Sequence, residues 1–151
     1  MTIKTILVAV DGSKQAARAT EAAADMARAC GAKVLVLHVV APVFEGSERD
    51  ELTNLAHIEH MERTEYEMLQ ERGRAIVQGA EFSVRQKGLA SVEPIVEVGD
   101  PAGVIVGMAR ARRADLVVVG RRGRGTLAGL LLGSVSNKVV QLADAPCLVV
   151  S

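Results

Sequence analysis

The chain has 151 residues, of which 49% are hydrophobic and 24% charged, enough for one domain with a packed core. Its 18 basic and 18 acidic residues give a formal net charge of zero. That balance offers no electrostatic case for nucleic acid or an anionic membrane as partner. With two Phe, one Tyr and no Trp, the chain also lacks the rings on which single-strand binders stack bases.

Neither a secretory signal nor a membrane span is evident. The first residues run directly into an apolar strand without the basic start and cleavage site of a leader. No apolar run approaches the roughly 20 residues that span a bilayer. Cys30 and Cys147 have neither disulfide-framework nor zinc-ligand spacing, and their apolar context predicts small core side chains. We expect a cytoplasmic protein without membrane insertion.

Five short apolar runs predict β-strands, because each is rich in aliphatic or β-branched residues on both faces. In chain order they are Ile3–Val10, Lys33–Val40, Val92–Val98, Leu116–Val119 and Ala145–Ser151. Such runs are typical of a parallel sheet covered on both sides. Pro94 favours an edge position or a strand start for the third run.

Helical segments separate these strands. The predicted helices are Lys14–Cys30, a charged and broadly helical region over 51–87, a helix over 101–113, and Ser134–Leu142. Ser13 and Asp100 are suitable N-caps, and Gly31 is a suitable C-terminal residue. The alternation predicts one α/β domain over residues 1–151. We expect a doubly wound, Rossmann-like, five-stranded parallel sheet with helices on both faces.

Ligands of such a sheet bind beyond the carboxyl ends of the strands, where the strand order reverses. The loops after the first and fourth strands carry the turn Asp11–Ser13 and a glycine-rich segment from Gly120 to Gly133. Glycine lets backbone N–H groups approach an anion, and a helix N-terminus adds free donors. The residues predicted to surround a polyphosphate are Gly120, Gly123, Gly133, Ser134 and Ser136.

Two common phosphate motifs do not fit this segment. A P-loop needs Lys after its second glycine, whereas Thr126 follows Gly125. The stretch Gly123–Ala128 matches a loose dinucleotide fingerprint, but that fingerprint belongs to the first strand–helix turn, so we interpret the match as accidental.

The spacing of Gly120, two residues, Gly123, nine residues and then Gly133-Ser134 resembles the signature of the nucleotide-binding branch of the universal stress protein family. Residues 6–13, the pair His38-Val39 and residues 146–150 are similar to the family's first, second and last strands. The resemblance covers the whole chain and is weakest between about 42 and 87.

The resemblance implies that the chain binds ATP, or ADP or AMP, with or without Mg²⁺. The binding residues implied or predicted are Ala9, Val10, Asp11, Ser13, Val39, Val119, Gly120, Arg121, Gly123, Gly133, Ser134, Val135 and Ser136. Residues 9–11 would flank the nucleoside, with the Asp11 carboxylate on the ribose or weakly on a nucleotide-bound Mg²⁺. The Val39 backbone would recognise the adenine edge. Val119, Gly120 and Gly123 would line the ribose and phosphate path, and residues 133–136 would hold the phosphates. Some members have Pro-Thr at positions 9–10, a change that backbone contacts would survive.

Structural explanations compete for several of these residues. Asp11, Gly120 and Gly123 could simply form turns. Arg121, Arg122 and Arg124 either neutralise a polyphosphate or are solvated, and the sequence leaves both open. His38 is expected in or beside the sheet. His57 and His60, three residues apart, are expected on a solvated helix face rather than in a metal site.

The leading functional hypothesis is a stress-response regulator that acts through nucleotide occupancy and a dimer surface on an unknown protein partner. No catalytic residue is assigned, because no general base or nucleophile set is placed to act, so at most weak ATP hydrolysis is expected. A slow ATPase or adenylyl-transferring enzyme, and an interaction module without nucleotide, remain alternatives. The apolar last strand resembles a sheet edge and predicts a homodimer or a dimer of dimers.

Overall fold

The computed structural model describes residues 1–42, 59, 61–122 and 132–151. The strands are β1 (Thr5–Ala9), β2 (Lys33–Val40), β3 (Val92–Val98), β4 (Leu116–Gly120) and β5 (Cys147–Val150). The helices are α1 (Lys14–Cys30), α2 (Arg63–Gln86), α3 (Pro101–Ala111) and α4 (Ser134–Leu142).

All five strands are parallel, in the order β3-β2-β1-β4-β5. The predicted fold class is therefore confirmed, and Pro94 lies in an edge strand as its lack of an N–H requires. From β1 the sheet continues through β2 to β3 at one edge, and from β4 it continues to β5 at the other edge. The strand order consequently reverses between β1 and β4, at the centre of the sheet.

The two faces of the sheet have separate cores, because successive residues of a strand point to opposite faces. Ile6 and Val8 of β1 pack in one core with the buried alanines of α1 and with Val77 of α2. Leu7 packs in the other core with Ile105 of α3 and Val139 of α4. Helices therefore cover both faces, as the chain order predicted.

The α1 helix lies close to the sheet because its buried face consists almost entirely of small side chains, and Ala19, Ala23, Ala24 and Ala27 are fully buried. The Ser13 hydroxyl accepts from the Ala16 N–H at 3.1 Å, and Gly31 ends the helix in the left-handed region with φ 69°. Both predicted caps of α1 are confirmed.

Several predicted boundaries differ from the structure. Strands β1 and β5 are shorter than the runs Ile3–Val10 and Ala145–Ser151, because their pairing with neighbouring strands covers fewer residues. The third helix ends at Ala111, before Arg113, which has a φ of +52°. The second helix begins at Arg63 within the described chain.

Part of the predicted second helical region lies outside the described residues, including His57 and His60. The expectation that both cysteines are core side chains is wrong for Cys30. It is exposed, as are the two residues before it in the last turn of α1. Cys147 is half-buried on β5, and burial raises the pKa of its thiol.

The end of β4 and the start of α1 are in very close contact. A Cβ built on Gly120 would lie 3.0 Å from the Gln15 Cβ and 3.1 Å from the Gln15 carbonyl carbon. Any side chain at position 120 therefore presses on the backbone of the first turn of α1. Packing therefore favours glycine at this position, independently of any ligand.

We predict that Gly120→Ala lowers the free energy of unfolding by about 1–3 kcal/mol, the usual cost of overpacking, because α1 must move. The matched control is Gly107→Ala in α3, where a Cβ would meet nothing within 4 Å. That substitution should stabilise the protein by roughly 0.5–1 kcal/mol through helix propensity. Urea denaturation of both variants measures the difference. A Gly120→Ala variant as stable as the wild type would contradict the close contact.

Candidate functional site

A cavity of about 260 Å³ opens at the carboxyl ends of β1, β2 and β4. It lies at the point where the strand order reverses, the place predicted from topology. The predicted site residues that line it are Ala9, Val10, Asp11, Ser13, Val39, Val119, Gly120, Gly133, Ser134, Val135 and Ser136. Residues from four separate segments of the chain therefore meet at one cavity.

Two predicted site residues are not among the cavity's lining. Gly123 lies outside the described residues. Arg121 does not line the cavity, whereas the neighbouring Arg122 does. The Arg121 carbonyl instead accepts from the Gly133 N–H at 2.8 Å, and its N–H donates to the Val150 carbonyl at 2.6 Å. The backbone of Arg121 thus ties the end of β4 to α4 and β5.

Sequence reasoning left the place of Arg122 open, and it missed five other lining residues: Ala16, Leu37, His38, Pro101 and Ile105. Leu37 and Ile105 are buried apolar residues whose pattern predicted only core positions. Pro101 and Ala16 lie in the first turns of the helices that Asp100 and Ser13 were predicted to cap. The position of those turns just after predicted strands is the signal that could have identified them as lining residues. His38 was placed in or beside the sheet, but nothing in its spacing indicated the cavity.

The turn after β1 is fixed by its own hydrogen bonds. The Asp11 carboxylate accepts from the Ser13 N–H at 2.9 Å, an Asx turn, and Gly12 takes the left-handed conformation with φ 80°. These contacts hold the Asp11 side chain in one direction at the cavity wall. Among the described lining residues Asp11 is the carboxylate, and the other ionisable groups are His38 and Arg122.

Of the helices that the structure describes, three begin at this cavity, and they differ in how they are capped. The Ser13 hydroxyl caps α1, and the Asp100 carboxylate accepts from the Gly103 N–H of α3 at 2.9 Å. The N-cap of α4 is Gly133, which has no side chain to give. The first helical bond of α4 runs from the Asn137 N–H to the Gly133 carbonyl at 2.9 Å.

The N–H groups of residues 134–136 consequently precede the first intrahelical bond of α4, at the end of the helix that carries partial positive charge. The Ser136 hydroxyl is buried and donates to the Arg121 carbonyl at 2.8 Å. Because a hydroxyl has one proton, Ser136 can meet a ligand only through its backbone or as an acceptor. Ser134 is exposed at the cavity mouth.

At the opposite wall, β2 continues beyond β1. The last β1–β2 pair is Ala9↔Leu37, and the Val10 N–H donates to the Leu37 carbonyl at 2.8 Å. In a parallel ladder the N–H and C=O of one residue point to the same neighbouring strand, alternately along the chain. The Val39 backbone groups therefore point toward the line of β1, past the end of that strand and into the cavity.

Ionisable side chains in the cavity lining and beside it differ in their hydrogen-bond partners among the described residues. Arg122 is half-buried, and its Nε is buried without a hydrogen-bond partner among the residues that the structure describes. Beside Val39, on β3, the Glu97 carboxylate lies 3.4 Å from the Tyr66 hydroxyl of α2. Burial, and then the Glu97 charge, raise the pKa of Tyr66, so the phenol keeps its proton.

The arrangement combines an apolar slot with a polar end. Leu37, Ile105 and Val119 provide buried apolar walls, and the start of α4 provides backbone N–H groups that precede its first helical bond. In the described ranges, no cluster of three or more His, Cys, Asp or Glu could hold a metal ion. Nor does the described part of the chain contain a helix long and apolar enough to cross a membrane.

Comparison with known proteins places the chain in a family. The model of the Universal stress protein family matches residues 2–151. The Universal stress protein YxiE of Bacillus subtilis is 34% identical over 146 residues, which cover 96% of this chain and 97% of the relative.

Solved structures agree. A universal stress protein in complex with cAMP is 28% identical, with a TM-score of 0.74 and coverage of 100% of this chain and 99% of its own. The universal stress protein from Archaeoglobus fulgidus in complex with dAMP is 25% identical, with a TM-score of 0.64 and coverage of 100% of both chains. The chain belongs to the universal stress protein family.

Proposed function

We propose that this protein binds ATP, or another adenine nucleotide, in the cavity between β1 and β4, and that it regulates a partner protein in the cytoplasm through the occupancy of that cavity. The observation that carries the proposal is the start of α4. Of the three helix N-termini at the cavity it is the one without a side-chain cap. Uncapped N–H groups at a positive helix end suit phosphate oxygens.

The apolar slot supports a base as the other half of the ligand. Leu37, Ile105 and Val119 can contact the faces of a flat ring, and the Val39 backbone presents an N–H and a C=O at its edge. Adenine offers an acceptor at N1 and a donor at the 6-amino group, which match that pair. The two relatives solved with cAMP and dAMP support the same class of ligand.

In this proposal the Asp11 carboxylate contacts either the ribose or a Mg²⁺ ion bound to the nucleotide. This carboxylate is held at the cavity wall by the Ser13 N–H. A single carboxylate suits Mg²⁺ that keeps most of its ligands from phosphates and water. Mg²⁺ would then arrive with the nucleotide and be held weakly by the protein.

We predict that Ser134→Glu weakens ATP binding at least about tenfold, because it places a carboxylate where the phosphates would bind. The same change should leave folding intact or improve it, since an acidic residue at the start of a helix is favourable. Isothermal titration with ATP and with adenosine measures the effect, which should be larger for ATP.

The matched control is Asn137→Glu, which adds the same charge to an exposed position three residues further along α4, outside the cavity lining. It should bind ATP within about threefold of the wild type. If Ser134→Glu binds ATP as tightly as Asn137→Glu does, phosphates do not bind at the start of α4.

Regulation through a dimer surface has a structural basis in β5. This strand pairs with β4 on one side and is a sheet edge on the other within the described chain. The β4-facing bonds involve the carbonyls of Pro146 and Val150. By alternation, the N–H of Val149 points to the open edge. All four residues of β5 are only partly buried, so a second copy that adds its own strand would cover them.

We predict that the protein is a homodimer and that Val149→Pro converts it to a monomer of 15.9 kDa. Proline removes an N–H that faces the edge and is tolerated there without breaking the β4 ladder. Val149→Ala shortens the same side chain but keeps the N–H, so it should remain dimeric. Size-exclusion chromatography with light scattering measures the molar mass of the wild type and of both variants. A monomeric wild type, or a dimeric proline variant, would refute pairing through β5.

A further inference from the structure

The β1–β2 ladder ends in an unusual way at Val10. In a regular parallel ladder the Val10 N–H would donate to Leu37, and the Val10 carbonyl would then accept from the Val39 N–H. The first of these bonds is present at 2.8 Å. The partner that the structure gives to the Val10 carbonyl is instead the His38 ring, whose Nδ1 lies 2.7 Å from the oxygen.

The chemistry of this contact fixes the state of the ring. A carbonyl oxygen can only accept, so Nδ1 must carry the proton. The ring thus donates to the same carbonyl to which a continued ladder would direct the Val39 N–H. Since Val39 lies beyond the last β1–β2 pair, its N–H and C=O are left for whatever occupies the cavity.

The α2 helix holds the ring in place. A Cβ on Gly73 would lie 2.8 Å from the His38 Cδ2 and 2.6 Å from the Val96 Cγ1, so the helix backbone lies directly against the ring. Gly73 is buried in this contact. His38 is thus packed between α2 on one side and the Val10 carbonyl on the other.

We propose that His38 is a positioning residue that sets base specificity: by taking the Val10 carbonyl, its ring keeps the Val39 N–H and C=O available to read the edge of a purine base. The proposal rests on adenine-nucleotide binding in this cavity. It adds that specificity depends on a side chain which needs no contact with the base.

A comparison of two purine bases that differ at this edge, adenine and hypoxanthine, tests the proposal. The Val39 N–H and C=O suit N1 and the 6-amino group of adenine. Hypoxanthine carries a hydrogen on N1 and an oxygen at position 6, so both contacts are mismatched. We expect the wild-type protein to bind ATP at least about tenfold more tightly than ITP, the scale set by unmatched buried polar groups.

His38→Leu keeps a similar shape but removes the donor. The freed Val10 carbonyl should then accept from the Val39 N–H, and the preference for ATP over ITP should fall to within about threefold. His38→Asn has a nitrogen at the same position on Cγ, which can donate to Val10, so it should keep most of the preference. Titration of both variants with ATP and ITP measures the ratio.

A matched control separates specificity from packing. Val96→Ala loosens the same contact with Gly73 without touching Val10. It should lower stability but keep the ATP-to-ITP ratio. A ratio that is unchanged in His38→Leu, or lost equally in Val96→Ala, overturns the proposal.

Two measurements on nucleotide-free protein do not depend on ligand binding. Nitrogen-15 spectra of the wild-type ring in alkaline buffer should show the neutral form protonated at Nδ1, and protonation at Nε2 would overturn the proposal. The Val39 amide should exchange with solvent at least about tenfold more slowly in His38→Leu than in wild type. If wild type binds no adenine nucleotide, the proposed function fails, whereas these spectra still decide whether the ring acts on Val10.

Discussion

The reversal of strand order between β1 and β4 is the constraint on which the site depends. The connection from β1 leads through α1 on one face, and the connection from β4 leads to α4 on the other. Because the two helices leave in opposite directions, neither covers the ends of the two central strands. The cavity therefore follows from the winding of the chain, before any particular side chain is considered.

Among the described residues, the fold places backbone groups without a side-chain cap or a strand partner at both ends of this cavity. At one end α4 begins without a capping side chain, although α1 and α3 beside it are capped by Ser13 and Asp100. At the other end β2 continues past β1, and Val39 has no strand partner on that side. Unpaired polar backbone is costly when it is buried, so groups left open in a cavity favour a polar ligand.

Sequence patterns predicted those features that depend on local order. The bounds of α1, β2, β3 and α4 follow from apolar runs and caps, and they agree with the structure. The cavity's glycine and serine residues followed from their positions after predicted strands. The contact of the His38 ring with the Val10 carbonyl could not be predicted, because it joins segments that are distant in the chain. For Arg122 the sequence left two alternatives open, and the structure places it in the cavity lining. The core position predicted for Cys30 was wrong because the helical spacing of apolar residues does not show that the last turn of α1 is exposed.

Packing and ligand binding are connected through Gly133. A Cβ there would lie 3.3 Å from the Arg122 Cα and 3.4 Å from the Arg121 carbonyl oxygen. A serine or aspartate at this position, the usual cap of a helix, would press on the backbone that forms the cavity edge. The close contact between the end of β4 and the start of α4 thus favours glycine. Because glycine has no side chain that could cap a helix, the contact that favours it also leaves α4 without a side-chain cap among the described residues.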